Sequence, residues 1–197
     1  MSNPNPTNLL NPLELLPGDI LHVRGNKLFP SRAIRYCLNN DVWGNHDALV
    51  ISYNGHLFIG ETQPPWSRII EIDEYNRDIE RGRIEVRVLR VPHATETQRL
   101  YASYWWVNNV QGRLYDFAAY PRLIGKCLAN GVLNLFGQNR WRELINTDAG
   151  WKWAAWCSEG VVDAWAAAGY EICPGVANPT PLHIEIAEQK GRVIRIQ

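Results

Sequence analysis

Apolar and polar positions along this chain repeat with two periods, and each change of period marks an element. After the turn signal Pro17-Gly18-Asp19, the run Ile20-Leu21-His22-Val23-Arg24 predicts a first short strand, with His22 an ordinary half-buried strand residue. Residues 46–53 and 56–62 are apolar runs flanking Asn54-Gly55, which predicts a hairpin closed by a two-residue type I′ turn. With that turn Tyr53 faces His56 and His46 faces Gln63, and Glu61 becomes the diagonal neighbour of His46 on one sheet face. Asp47 then points to the opposite face, and His56 lies beside the turn at the far end.

Residues 69–72 and 84–91 carry further strand patterns, the second alternating Ile84, Val86 and Val88 against Arg83, Glu85 and Arg87. Helical spacing takes over elsewhere. Ser31 opens a short helix to residue 39 with Ala33, Ile34, Cys37 and Leu38 on its apolar side. Thr95-x-x-Gln98 is a capping box that starts a helix running to about Gln111 and stopped by Gly112. Residues 117–136 have a helical pattern broken by Pro121, Gly125 and Gly131, and residues 137–152 read as loop. Residues 153–169 read as a helix with Cys157 in its first turn: Val161, Val162, Trp165 and Ala168 recur at helical spacing and Gly169 supplies the stop. Residues 184–186 and 192–196 read as late strands, or as one late hairpin around Lys190-Gly191.

Length and composition narrow the class. At 197 residues with 46% hydrophobic content and nine Trp, the chain is long enough for a single well-filled core. It divides into a polar lead over residues 1–16 and one domain over residues 17–197. Its 20 basic and 20 acidic residues cancel, which argues against nucleic acid as a partner. No apolar run is long enough to span a bilayer, so no stable membrane insertion is expected. Residues 1–8 lack the pattern of a secretory signal, which predicts a protein that is cytoplasmic as synthesised.

The chemistry on offer is that of a thiol. Cys37, Cys127, Cys157 and Cys173 show no CxxC spacing and no paired His ligands, so neither a metal nor another cofactor is expected. Cys157 differs from the others by its place at a helix start. Backbone N–H groups of a first turn and the positive end of the dipole favour the nucleophilic thiolate over the thiol. Cysteine hydrolysis also needs an imidazole to take the proton and a polar group to fix that imidazole's tautomer. His46 and Glu61 supply both types on one sheet face. Cys37, Cys127 and Cys173 read as core thiols, His93 as a loop residue, and His183 as part of an irregular C-terminal return. The Trp-rich stretch reads as core, with a groove lining at Trp151 to Trp156 as the alternative. Tyr115-Asp116 reads as a turn or cap.

In this order the residues resemble the circularly permuted NlpC/P60 papain-like hydrolases, in particular their YiiX/YebB-like branch. Pro17-Gly18-Asp19-Ile20-Leu21 is similar to the "GDI" opening strand and Ser31-Arg32-Ala33-Ile34 to the short helix after it. Asn45-His46-Asp47-Ala48-Leu49-Val50 is similar to the strand that bears the catalytic His, and Gly60-Glu61 to the strand that follows. Tyr115-Asp116-Phe117 and Trp156-Cys157-Ser158-Glu159 resemble "YD…yCSe". The likeness covers roughly residues 17–170 and places His before Cys, the reverse of ordinary papain-like enzymes. It implies an α+β fold, an antiparallel sheet with the nucleophile helix packed on it. It makes Cys157 the nucleophile, His46 the general base and Glu61 the orienting residue. Asn45, Asp47 and Gly160 depart from the family's pattern.

The resemblance implies a cysteine hydrolase that cleaves an amide bond through a thioester, with a peptidoglycan peptide as substrate. Tyr36 and Trp156 are candidate substrate contacts. For a chain without a cleaved signal this implies phage delivery, a secretion-system route or a cytosolic recycling role, and the sequence identifies no delivery or immunity partner. Two alternatives stand beside this reading: an acyltransferase or lipid or ester hydrolase acting on an acyl substrate with the same thiol, and a binding module that keeps the scaffold without activity.

Overall fold

The computed structural model describes residues 9–25, 42–115 and 154–197. Among these the fold is α+β. Eight strands form one sheet: β1 (Ile20–Gly25), β2 (His46–Tyr53), β3 (His56–Gln63), β4 (Trp66–Ile70), β5 (Ile84–Arg90), β6 (Leu114–Tyr115), β7 (Ala154–Ala155) and β8 (Ile194–Arg195). They lie in the order β7-β6-β4-β3-β2-β1-β5-β8, antiparallel except for the outermost β6–β7 pair. Four helices accompany them: α1 (Ile72–Glu80), α2 (Glu96–Asn109), α3 (Cys157–Ala167) and α4 (Pro181–Gln189).

Period-two alternation sends the strand residues to two different cores. Ile20, Leu49, Ile51 and Leu89 pack with Trp106 of α2, Val161 and Trp165 of α3 and Ile184 of α4. Leu21, Val23, Ala48, Val50, Ile59 and Val88 pack with Ile72, Tyr75 and Ile79 of α1. Leu10 and Leu15, ahead of β1, join this second core. His46 therefore shares a face with α1, and Asp47 shares one with α2 and α3.

The Asn54-Gly55 hairpin has the expected register: Tyr53 pairs with His56 and Ala48 with Glu61. Both turn residues have positive φ, 51° and 79°, as a type I′ turn requires. The Thr95–Gln98 capping box is present at the head of α2. α3 starts at Cys157, and Gly169 follows it with φ 82°. It is fixed to the sheet through Trp165, whose indole Nε1 donates to the Gly18 carbonyl at 3.0 Å. A Cβ on Gly18 would stand 2.7 Å from that ring, so the Pro-Gly-Asp turn leaves the space that Trp165 fills.

Three expectations are corrected. Residues 184–186 are not a strand; they lie inside α4, which opens with Pro181 behind Thr180, a favourable helix start. The strand expected over residues 69–72 ends at Ile70, and Ile72 opens α1, whose Ile72, Tyr75 and Ile79 form one buried stripe behind Asp73 and Glu74 in the first turn. The helix expected from residue 153 starts at Cys157, and Ala154–Ala155 form strand β7 instead. The helices expected over residues 31–39 and 117–136 and the loop over 137–152 lie outside the described residues.

Candidate functional site

β2 and β3 bring His46 and Glu61 together on the face that α1 covers. The His46 ring Nε2 lies 3.2 Å from Glu61 Oε2. The His46 side chain is 14% exposed and that of Glu61 only 1%. A buried carboxylate this deep needs its lone pairs filled, and two further groups fill them. Arg68 of β4 donates Nε to Glu61 Oε1 at 2.8 Å, and Tyr75 of α1 donates its hydroxyl to Oε2 at 2.8 Å. Burial alone would raise the Glu61 pKa, but the hydrogen bond and charge of His46, with Arg68 and Tyr75, hold it below the usual carboxylate range. Tyr75, buried against that charge, is pushed well above an ordinary phenol.

Cys157 lies close enough to the His46 ring to shift its protonation. Burial by itself would lower the His46 pKa. Hydrogen bonds and charges from Cys157 and Glu61 reverse this and raise it to about 10. Cys157 is 4% exposed, reduced, and first in α3, preceded by Trp156 as N-cap. Glu159 Oε2 accepts from the Trp156 backbone N–H at 3.2 Å, which closes the first turn around the thiol.

The other candidates fall elsewhere. Trp156 is 8% exposed and its ring stacks on Tyr115 at 6.1 Å. Cys173 is a buried core thiol with its pKa pushed up to about 12, chiefly by burial and next by the charge of Asp47. His183 is held by Thr180, 2.9 Å from its Nδ1. Tyr36, Cys37 and Cys127 lie outside the described residues.

His22 is not half-buried: its exposure is 0%, and so is that of Asp47. Its Nδ1 is 2.6 Å from Asp47 Oδ1 and its Nε2 is 3.0 Å from Glu185 Oε1. β1 and β2 pair His22 with Asp47 directly. The available signal was parity, since His22 shares the inward face of β1 with Ile20; its partners Asp47 and Glu185 stand 25 and 163 residues away.

The architecture is found in a solved structure. The crystal structure of the metalloprotein yiiX from Escherichia coli O157:H7 superposes with a TM-score of 0.54 at 15% identity, covering 89% of this chain and 81% of that one. The two share a fold. No protein-family model matches the chain, and no curated protein matches it. The word metalloprotein describes yiiX; among the described residues of this chain, no group of three or more His, Cys, Asp or Glu is arranged to hold a metal ion. Nor, among them, is any helix long and apolar enough to cross a membrane.

Proposed function

We propose that the chain is a cysteine hydrolase with Cys157 as nucleophile, His46 as general base and Glu61 as the residue that orients the imidazole. The observation that carries this reading is the His46 ring held 3.2 Å from Glu61, with Cys157 at the head of α3 near enough to raise the pKa of the same imidazole. A thiol beside an imidazole that a carboxylate orients is the arrangement nucleophilic cysteine catalysis requires. The likeness of fold to yiiX is compatible with the permuted papain-like architecture that the motif order implies.

In the first step the thiolate adds to a carbonyl carbon, and the resulting oxyanion lies near the Cys157 backbone N–H at the positive end of α3. His46 gives its proton to the leaving nitrogen, the C–N bond breaks, and a thioester remains. Water then attacks the thioester carbonyl as His46 takes its proton, and the thiolate departs with the C–S bond electrons. Glu61 stays ionised throughout, held by Arg68 and Tyr75. The substrate class we assign is an amide of a peptidoglycan peptide.

The test is release of new amines from purified sacculi by the intact chain. Cys157→Ala is expected to lower that rate at least about a thousandfold. Iodoacetamide near neutral pH is expected to label Cys157 far faster than the other cysteines. Intact sacculi together with turnover of short-chain thioesters would move the assignment to an acyl substrate. Slow, equal labelling of all four cysteines would remove the enzyme reading and leave a binding module.

A further inference from the structure

Asp47 follows His46 in β2, and Ser158 follows Cys157 in α3. These two followers meet behind the candidate site, where the Ser158 hydroxyl donates to Asp47 Oδ2. Asp47 Oδ1 holds His22 Nδ1 at 2.6 Å, His22 Nε2 faces Glu185 Oε1 at 3.0 Å, and the same Glu185 oxygen accepts the Gly44 N–H at 2.9 Å. Ser158, Asp47 and His22 are all 0% exposed. Trp43 lies against the His22 ring at 5.5 Å, with the Arg87 guanidinium 3.9 Å above the indole. A Cβ on Gly44 would run into the His22 imidazole.

This cluster is not a second nucleophilic centre. The serine bonds the carboxylate rather than the imidazole, both imidazole nitrogens face carboxylates, and no substrate reaches atoms so deeply covered. Burial alone would lower the His22 pKa, but the charges and hydrogen bonds of Asp47 and Glu185 raise it to about 9. At neutral pH the centre is therefore a cation between two carboxylates. A saturated polar network of this kind is stiff. It ties β1, β2, α3 and α4 together one residue from each partner of the Cys157–His46 pair.

We propose that Ser158, Asp47 and His22 are positioning residues that set the separation between the Cys157 sulfur and the His46 ring. The inference rests on the hydrolase reading, because that separation matters only if the pair reacts. The distance is sensitive: a displacement of about 1 Å in a catalytic constellation costs on the order of a hundredfold in rate. Helix α3 is also held by Trp165 on Gly18, about two turns away. Ser158–Asp47 is a side-chain hydrogen bond that fixes its first turn against β2.

The experiment is the pH dependence of Cys157 alkylation by iodoacetamide, with kcat and KM measured beside it. The hydrolase reading expects the rate in the unmodified chain to stay high below the ordinary thiol range, near pH 8.5. Ser158→Ala is expected to lower the rate at about pH 6 at least about tenfold and to move the inflection toward the free-thiol value. It lowers kcat by a similar factor and leaves KM within about twofold. Asp47→Asn, which keeps shape and removes charge, acts in the same direction and decides the matter if Ser158→Ala does not fold. Combining the two is no worse than the worse single change. A low inflection that stays put in a folded Ser158→Ala or Asp47→Asn variant overturns the positioning role alone. An ordinary thiol profile in the unmodified chain overturns the hydrolase reading and the positioning role with it.

Discussion

Two histidines on neighbouring strands, His22 of β1 and His46 of β2, each hold a buried carboxylate, yet they face opposite sides of one sheet and are finished differently. His22 has a carboxylate at each ring nitrogen and no exposed surface. His46 has Glu61 at one nitrogen and the Cys157 thiol close enough to shift its protonation, and keeps some access to solvent. Burial opposes the charge on both rings, and in both the anions prevail, raising the pKa to about 9 for His22 and about 10 for His46. A raised imidazole pKa thus does not by itself distinguish a reactive histidine from a structural one. What distinguishes them is the partner: a thiol beside one ring, a second carboxylate bonded to the other.

The sharpest way to break this comparison is to delete each ring in turn. His22→Ala leaves Asp47 buried with Ser158 as its remaining side-chain partner, and is expected to cost about 3–5 kcal/mol in urea unfolding. His46→Ala leaves Glu61 still bonded to Arg68 and Tyr75, and is expected to cost only about 1 kcal/mol while removing activity. Equal costs would mean that the two carboxylates are equally dependent on their histidines, and the distinction would fail.

Stability against pH sharpens it further. Both rings bind protons more tightly folded than unfolded, so their stabilisation is complete below pH 6.5 and is lost as pH rises through about 9 for His22 and about 10 for His46. Unfolding free energy is expected to fall across that interval as each ring loses its proton. His22→Ala flattens the lower part of the decline. A stability that is level from neutral to strongly alkaline pH would show that neither ring is held charged.

The smallest expected effect is at Tyr75→Phe. It removes one donor from Glu61 and leaves Arg68 and His46 in place, so about 1 kcal/mol of stability and a several-fold loss in kcat are expected. A Tyr75→Phe variant with unchanged kcat would limit Glu61 orientation to Arg68 and the strand itself.

Local chemistry was legible wherever a partner lies close in sequence. Asn54-Gly55 dictates its own turn, that turn fixes the register, and the register puts Glu61 beside His46 fifteen residues away. Thr95 and Gln98 cap one helix by the same short-range logic. α1 escaped notice because Ile69, Ile70 and Ile72 read as one apolar run, although Tyr75 and Ile79 continue the helical stripe. In α4, a short alternation around Glu185 imitated a strand, while Pro181 behind Thr180 already announced a helix.

The sequence by itself determined the His46 hairpin, the Glu61 beside it, and a cysteine at the head of a late helix. Each of these is decided within one element or one tight turn, where spacing maps directly onto geometry. Tertiary structure alone decided that Cys157 meets His46 and that Ser158, Asp47, His22 and Glu185 meet behind them. Those contacts join residues 111 and 163 positions apart, and only the packing of α3 and α4 on a twisted sheet selects them.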